Sequence, residues 1–410
     1  MNDRRKISLS TTLGAAVAWY DFTIFNIAVV LIFPQLFFPE MGALIPILAF
    51  AVGFLFRPLG SVIFGVLGDR FGRKVTLIAT LYMTGISTVA IGLLPSFDNI
   101  GIVATVLLIL ARICQTAAVG GEWAAASVML SEHHADSRRR GFVTSFVSSS
   151  FAIANIIAAV IFMLALAPGQ EFFNDWGWRI PFLLSAVLLV IGVYIRRHAL
   201  ETPEFSDMRS KDLQSPNPLK QVFREHWKII LALAVAISLP AAWNYGIMVF
   251  AAGYMIKLGL IDRPDLMQAQ LAFWPIFFAA MVAVGWLSDY VSKNAIMWSS
   301  IVASTALAWP VWSLIEQGQA FYAMAALVLL AAPSMAIAPA FFAQIFPTAV
   351  RQTGSGISYN LGFVLSGLVP LVAQQVMLLG GEIFAIAAIY LALTALSATA
   401  IFFLARQQTQ

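Results

Sequence analysis

The chain has 410 residues, is 60% hydrophobic and only 11% charged, and has a mean hydropathy of +0.85. A water-soluble globule of this size needs more polar surface than that, so composition excludes one and places the chain in a bilayer. The net charge of +4 is no nucleic-acid signal here; what matters is where the positive residues lie.

Apolar runs long enough to cross about 30 Å of hydrocarbon, which takes roughly 20 helical residues, recur along the whole chain. Twelve spans are predicted, at 12–37, 43–66, 75–94, 101–125, 141–166, 179–196, 228–250, 268–288, 294–315, 320–343, 353–378 and 382–405. The first follows the basic stretch MNDRRKISLS, contains Asp21, outruns signal-peptide length and lacks an A-x-A site, so it reads as an uncleaved helix. Cys114, the single cysteine, falls in the fourth span, which excludes an intrachain disulfide. With the N-terminus cytoplasmic, twelve spans return the C-terminus to the same side. Arg4, Arg5, Lys6, Arg70, Arg73, Lys74, Arg138, Arg139, Arg140, Lys293, Arg351, Arg406 and the basic residues from 196 to 228 then all lie inside. Only Arg179, Lys257 and Arg263 lie outside, so the positive-inside rule supports both termini being cytoplasmic.

The longest internal polar stretch, 197–227, divides the chain into an N-terminal six-helix half, 1–196, and a C-terminal half, 228–410. Pro203, Pro216 and Pro218 argue for short helical pieces in this cytoplasmic linker. GVLGDRFGRK at 65–74 returns as GWLSDYVSKN at 285–294, each after the second span of its half, with Asp289 matching Asp69 and Lys293 matching Arg73. SEHHADSRRRG at 131–141 is echoed by QIFPTAVRQTG at 344–354. The chain reads as a duplicated six-helix unit, an arrangement found in carriers that alternate access between related halves.

Gly65, Gly68 and Gly72 permit close backbone approach and a tight turn around Asp69. Asp69 can sit at the N-terminus of a facing helix, where the helix dipole favours an anion, and so latch the halves on the cytoplasmic side. Arg70, Arg73 and Lys74 can equally serve topology and lipid phosphates alone.

The G-x-L-G-D-R-x-G-R-K stretch resembles the signature of the major facilitator superfamily. RPLGSVIFGVLGDRFGRK (57–74), RICQTAAVGGEW (112–123), WGWRIPFLLSA (176–186), ETPEF (201–205) and the run from FPTAVRQTG to SYNLG (346–362) resemble its metabolite:H+ symporter branch. That branch holds bacterial inner-membrane carriers for shikimate, dicarboxylates, citrate and betaine-type osmolytes. The resemblance implies an all-α membrane protein with twelve transmembrane helices in two six-helix halves, working as a monomer without cofactor or nucleic acid. It also implies a relay in which Arg73 reaches Glu122 or Glu132, completed by Arg139 or Arg140, with Arg351 in the matching position of the second half. Ser292 and Asn294 depart from the signature in the second copy, and Gln344 stands where the family has Glu, so the second relay is expected to be uncharged or absent.

Only Asp21, Arg57, Arg112 and Glu122 are ionisable residues well inside predicted spans. A charge at mid-bilayer costs about 2.5–3.5 kcal/mol on insertion scales, so each is expected to face the bundle interior with a partner. Asp21 and Arg57, each roughly 13 Å from the cytoplasmic end of its span, can pair, either statically or as part of coupling. Arg112 is the candidate for holding an anionic substrate, with Gln115 a turn away, and Glu122 serves a gate or a proton step. Relatives in the branch carry Glu where this chain has Ala18, which leaves Asp21 or Glu122 to carry a proton, or coupling lost. Trp243, Asn244 and Tyr245 in span seven, with Tyr359 and Asn360 in span eleven, offer neutral hydrogen-bonding and stacking groups for a cavity or for helix packing. His133 and His134 read as solvated loop residues without metal-ligand spacing. Neither a nucleophile–base constellation nor a G-x-x-x-x-G-K-[ST] motif occurs. The expectation is therefore a proton-coupled carrier of a small organic acid or zwitterion, the alternative being an uncoupled facilitator or exporter.

Overall fold

The computed structural model describes residues 3–39, 53–197 and 200–408. These residues form helices and no strand. The first six major helices are α1 (Asp3–Leu31), α2 (Arg57–Phe71), α3 (Arg73–Leu93), α4 (Ile102–His133), α5 (Arg140–Leu166) and α6 (Arg179–Arg197). The linker carries α7 (Pro203–Ser210). There follow α8 (Pro218–Tyr245), α9 (Arg263–Leu287), α10 (Lys293–Glu316), α11 (Ala332–Ile345), α12 (Arg351–Gly367), α13 (Val369–Leu378) and α14 (Ile383–Gln408). Eleven helices among the described residues are long and apolar enough to cross a membrane. The predicted second span, 43–66, starts outside the described residues, and its described part continues as α2 to Phe71.

Hydropathy marks the apolar stretch, whereas the backbone ladder runs on wherever polar side chains find burial. α4 is 32 residues long, roughly 48 Å at 1.5 Å per residue, and carries Glu132 and His133 inside its last turn. His133 and His134, expected to be solvated, are buried, and His133 Nδ1 donates to Met129 O at 2.9 Å. α8 starts at Pro218, ten residues ahead of the predicted boundary. It holds Pro240, and a π-helical turn, Gly246–Ala251, follows it. The predicted span 320–343 is broken into Ala320–Ala325, Leu327–Leu330 and α11, whose Pro333 stands at a helix start where its missing N–H costs least.

The packing divides the chain into two compact units. One comprises Met1–His133, Ile153–Gln221 and Thr348–Ile357; the other comprises His134–Ala152, Val222–Pro347 and Ser358–Gln410. The first unit includes the start of α12 and the second the start of α5.

Within the first unit, α3 is capped at both ends by residues distant in sequence. Glu201 accepts the Arg73 and Lys74 backbone N–H groups at 3.1 Å each, placing a carboxylate on the positive end of the helix dipole. Arg179, from WGWRIPF, donates at 2.8 Å to Gly92 O and Leu94 O at the opposite end. Thr202 accepts from Phe205 N at 3.3 Å and starts α7, with Pro203 at its first position.

Candidate functional site

Asp69 sits against the start of α12. Its Oδ1 accepts from Gln352 N at 3.1 Å and its Oδ2 from Thr353 N at 2.9 Å, two N–H groups that the helix itself leaves unsatisfied. The approach depends on missing side chains: a Cβ on Gly65 would lie 2.7 Å from Thr353 Cα, and one on Gly68 would overlap Gln352. Gly72 has φ +115°, a conformation L-residues avoid, which lets α2 turn directly into α3.

The second copy builds the same contact within the second unit. Asp289 accepts from Gly141 N at 2.6 Å and Phe142 N at 3.1 Å at the start of α5. The departures from the signature have physical reasons. Ser292 has φ −59° and caps α10 by accepting from Ala295 N, so no glycine is needed there. Ser288 stands where the first copy has Gly68, and the small residue moves to the facing helix, where a Cβ on Gly141 would overlap Ser288 Oγ. The carboxylates thus set Gln352 against Gly141, a register shifted from the end-to-end match of the two echoed stretches.

Arg73, fully buried, is the centre of the charge network in the first unit. It donates to Gly68 O at 2.8 Å, Asp69 Oδ1 at 3.3 Å, Glu132 Oε1 at 3.0 Å and Thr348 O at 2.8 Å, and lies 4.9 Å from the Phe205 ring centre. Of the two expected carboxylates it takes Glu132. Glu132 also accepts from Thr202 Oγ1 and, at 2.8 Å, from Arg351 Nη1, which pairs with Glu204 as well. The relay is therefore completed by Arg351 and by the linker. Arg139 is exposed and Arg140 begins α5 in the other unit. Arg70 is fixed to the linker too, donating to Pro216 O and accepting at its own carbonyl from Gln214 Nε2 at 3.0 Å. Sequence reasoning missed Glu201, Thr202 and Glu204 as members of this network, although ETPEF had been singled out as a motif.

Glu122 belongs elsewhere. It accepts from Arg196 Nη1 at 3.2 Å, from Arg196 Nη2, and from Thr80 Oγ1 at 2.5 Å. Arg196, counted in the sequence among cytoplasmic charges, is buried at the end of α6, and its other bond goes to Leu77 O. Gly14 of α1 lies against its guanidinium with no room for a Cβ. One ion pair thereby joins α3, α4 and α6 beside α1.

Asp21 and Arg57 are not brought together. Asp21 Oδ1 accepts from Ser185 Oγ at 2.5 Å, whereas Arg57 lies 5.3 Å from the Trp19 ring centre and 5.6 Å from that of Phe22. Arg112 shares Phe22, at 4.5 Å, and stacks on Phe25 at 3.9 Å. It donates to Gln115 Oε1 at 2.6 Å and to Asn26 Oδ1 at 2.7 Å, and its Nε has no acceptor among the described residues. Gln115 in turn donates to Asp21 O at 3.0 Å and Thr88 Oγ1 at 2.8 Å. Arg112 makes no ion pair among the described residues. Cation–π contacts contribute about 0.5–2 kcal/mol, less than an arginine costs at mid-membrane, about 2.5–3.5 kcal/mol.

In the second unit Trp243 is fully buried, donating to Ser304 Oγ at 3.0 Å and lying 4.0 Å from Tyr390 and 6.4 Å from Trp312, ring centre to ring centre. Asn244 is buried with no partner for Nδ2 among the described residues. Tyr245 meets Phe363 edge-on, Tyr359 packs on Phe363 at 4.4 Å, and Asn360 is fully buried. Among the described residues no group of His, Cys, Asp and Glu is placed to hold a metal.

Comparison with known proteins bears on the family and the fold. The model of the Major Facilitator Superfamily matches residues 11–370. The inner membrane metabolite transport protein YhjE of Escherichia coli is 34% identical over 386 residues, covering 90% of this chain and 87% of that protein. The shikimate transporter of Escherichia coli is 31% identical over 374 residues, covering 88% of this chain and 85% of its own. The proline/betaine transporter of Salmonella typhimurium is 30% identical over 394 residues, covering 90% and 77%. The solved structure of the proton:xylose symporter XylE bound to 6-bromo-6-deoxy-D-glucose superimposes with a TM-score of 0.74 over 98% of this chain and 95% of that one, at 16% identity, which bears on the fold.

Proposed function

The chain belongs to the Major Facilitator Superfamily, as a multi-pass membrane transporter and not an enzyme, and from that premise we propose that it moves a small organic acid or zwitterion by alternating access in symport with protons. The proposal places twelve helices in two six-helix halves, 1–196 and 228–410, joined by the 197–227 linker, with both termini cytoplasmic, in a bacterial inner membrane, as a monomer. The observation that supports it is Asp69 bound to the first N–H groups of α12, a non-covalent contact between the two halves of the sequence. In this reading Arg112 and Gln115 bind the cargo, Arg57 supplies a second positive group, and Asp21 or Glu122 carries the proton. Asn244, Tyr245, Tyr359 and Asn360 supply neutral polar contacts. Gly65, Gly68, Asp69, Gly72, Arg73, Glu132, Asp289 and Arg351 form the gates.

Uptake of labelled shikimate, citrate, glycine betaine and proline into proteoliposomes with an imposed inward proton gradient tests the reading. Accumulation that collapses on adding a protonophore is expected. Transport indifferent to the gradient removes the coupling and favours the second reading, an uncoupled facilitator or exporter, which the buried, apolar Ala18 supports.

A further inference from the structure

Resting on that carrier reading, we infer that Asn26 and Gln115 set the charge class of the cargo. They offer Arg112 neutral amide oxygens where a carboxylate would neutralise it, and so keep its charge for a net organic anion rather than a betaine-type zwitterion.

The argument starts from α1. Trp19, Phe22 and Phe25 recur at helical spacing, and two guanidiniums alternate with them: Arg57 against Trp19 and Phe22, Arg112 against Phe22 and Phe25. A quaternary ammonium is recognised by open aromatic faces, and these rings are already engaged by the protein's own cations. A zwitterion's cationic group would otherwise need a carboxylate. Glu122 is paired with Arg196, and Asp21, bonded to Ser185 through Oδ1 with its Oδ2 unpartnered among the described residues, is the candidate proton site of the carrier reading.

Around Arg112 the balance is the reverse. Two of its N–H groups go to amide oxygens, at 2.6 Å and 2.7 Å, which orient the guanidinium without cancelling its charge. Its buried Nε keeps a donor without an acceptor among the described residues. A carboxylate is the ligand that satisfies both the charge and the planar donor set. Asn26 is the positioning residue that α1 contributes, and it differs from an internal counter-ion by a single amide nitrogen.

Thermal unfolding of purified wild type, N26D and Q115E in detergent, with shikimate, citrate, glycine betaine and proline as probes, tests this. In wild type at least one carboxylate raises the melting temperature and neither zwitterion does. N26D is isosteric and melts at or above wild type without probe, because it gives Arg112 a partner, whereas Q115E also loses the donor to Asp21 O and melts lower; both bind the carboxylate roughly 10–100-fold more weakly. A merely structural amide would not couple a stable apo protein to a lost ligand response. Stabilisation by glycine betaine or proline alone, an unchanged carboxylate response in both variants, or no response of wild type to either carboxylate overturns the inference. The proton-gradient uptake assay judges the carrier reading separately.

Discussion

Glu204 and Arg351 form an ion pair across the linker: the carboxylate of α7 meets the guanidinium that opens α12, and Arg351 at the same time holds Glu132 of α4 at 2.8 Å. Through this pair the 197–227 stretch is fixed to the start of α12 beside Glu132 of α4. Glu204→Ala leaves Arg351 with Glu132, so folding is preserved. A single cysteine introduced at Thr348 in a Cys114→Ser background is expected to react faster with a maleimide in E204A than in its parent.

Asp69→Asn keeps one acceptor for the α12 N–H groups and loses the charge that balances Arg73 and the helix dipole. A loss of about 1–3 kcal/mol is expected for this buried, charge-assisted contact. It reads as a lower melting temperature and slower net uptake. A D69N protein as stable as wild type would remove Asp69 from the latch.

The two latches place their small residue on opposite sides, Gly68 against Gln352 and Ser288 against Gly141. Gly68→Ser alone overpacks the first latch, with an expected cost of about 1–3 kcal/mol. G68S/Q352G reproduces the second latch and is expected to recover most of the loss in a melting experiment. A double variant no better than G68S would show the latches are not equivalent.

Arg196→Ala strands Glu122 among buried atoms, and breaking a buried pair from one side costs about 3–5 kcal/mol. E122Q/R196A removes the stranded charge and is expected to be more stable than R196A. A double-mutant cycle on melting temperature and membrane yield reads the coupling.

Glu201→Gln keeps one of the two acceptor oxygens, leaves one of the two N–H groups without a partner and removes the negative charge from the N-terminus of α3. The expected loss is about 0.3–1 kcal/mol, against about 0.5–2 kcal/mol for Glu201→Ala, which also leaves the Arg73 and Lys74 N–H groups unpaired. Unfolding of the two variants side by side reads how much of the cap a single neutral acceptor retains.

Much of this was legible in the chain. Hydrophobic runs set the helices because a bilayer leaves no other partner for backbone N–H and C=O groups, and the Gly–Asp–Arg spacing announced a tight turn with a carboxylate at its edge. The destination of Asp69 at a facing helix start followed from the dipole alone. Partner choice did not follow. Arg73 takes Glu132 and not Glu122, which lies ten residues earlier on α4 and pairs with Arg196, and Arg351 from α12 is the second arginine on Glu132. A sequence ranks these carboxylates equally, since each is a charge near a helix end.

What the sequence by itself determined, then, is the class of molecule, its helical spans and its duplicated motif, because these depend on local hydropathy and on side-chain chemistry repeated at fixed spacing. What only the tertiary structure decided is which charges meet. Asp21 and Arg57 separate, Arg112 lies between Asn26 and Gln115, and the linker carboxylates join the Arg73–Glu132–Arg351 network, because burial and a few ångströms of helix approach fix the strength of an electrostatic contact, and neither is written in residue order.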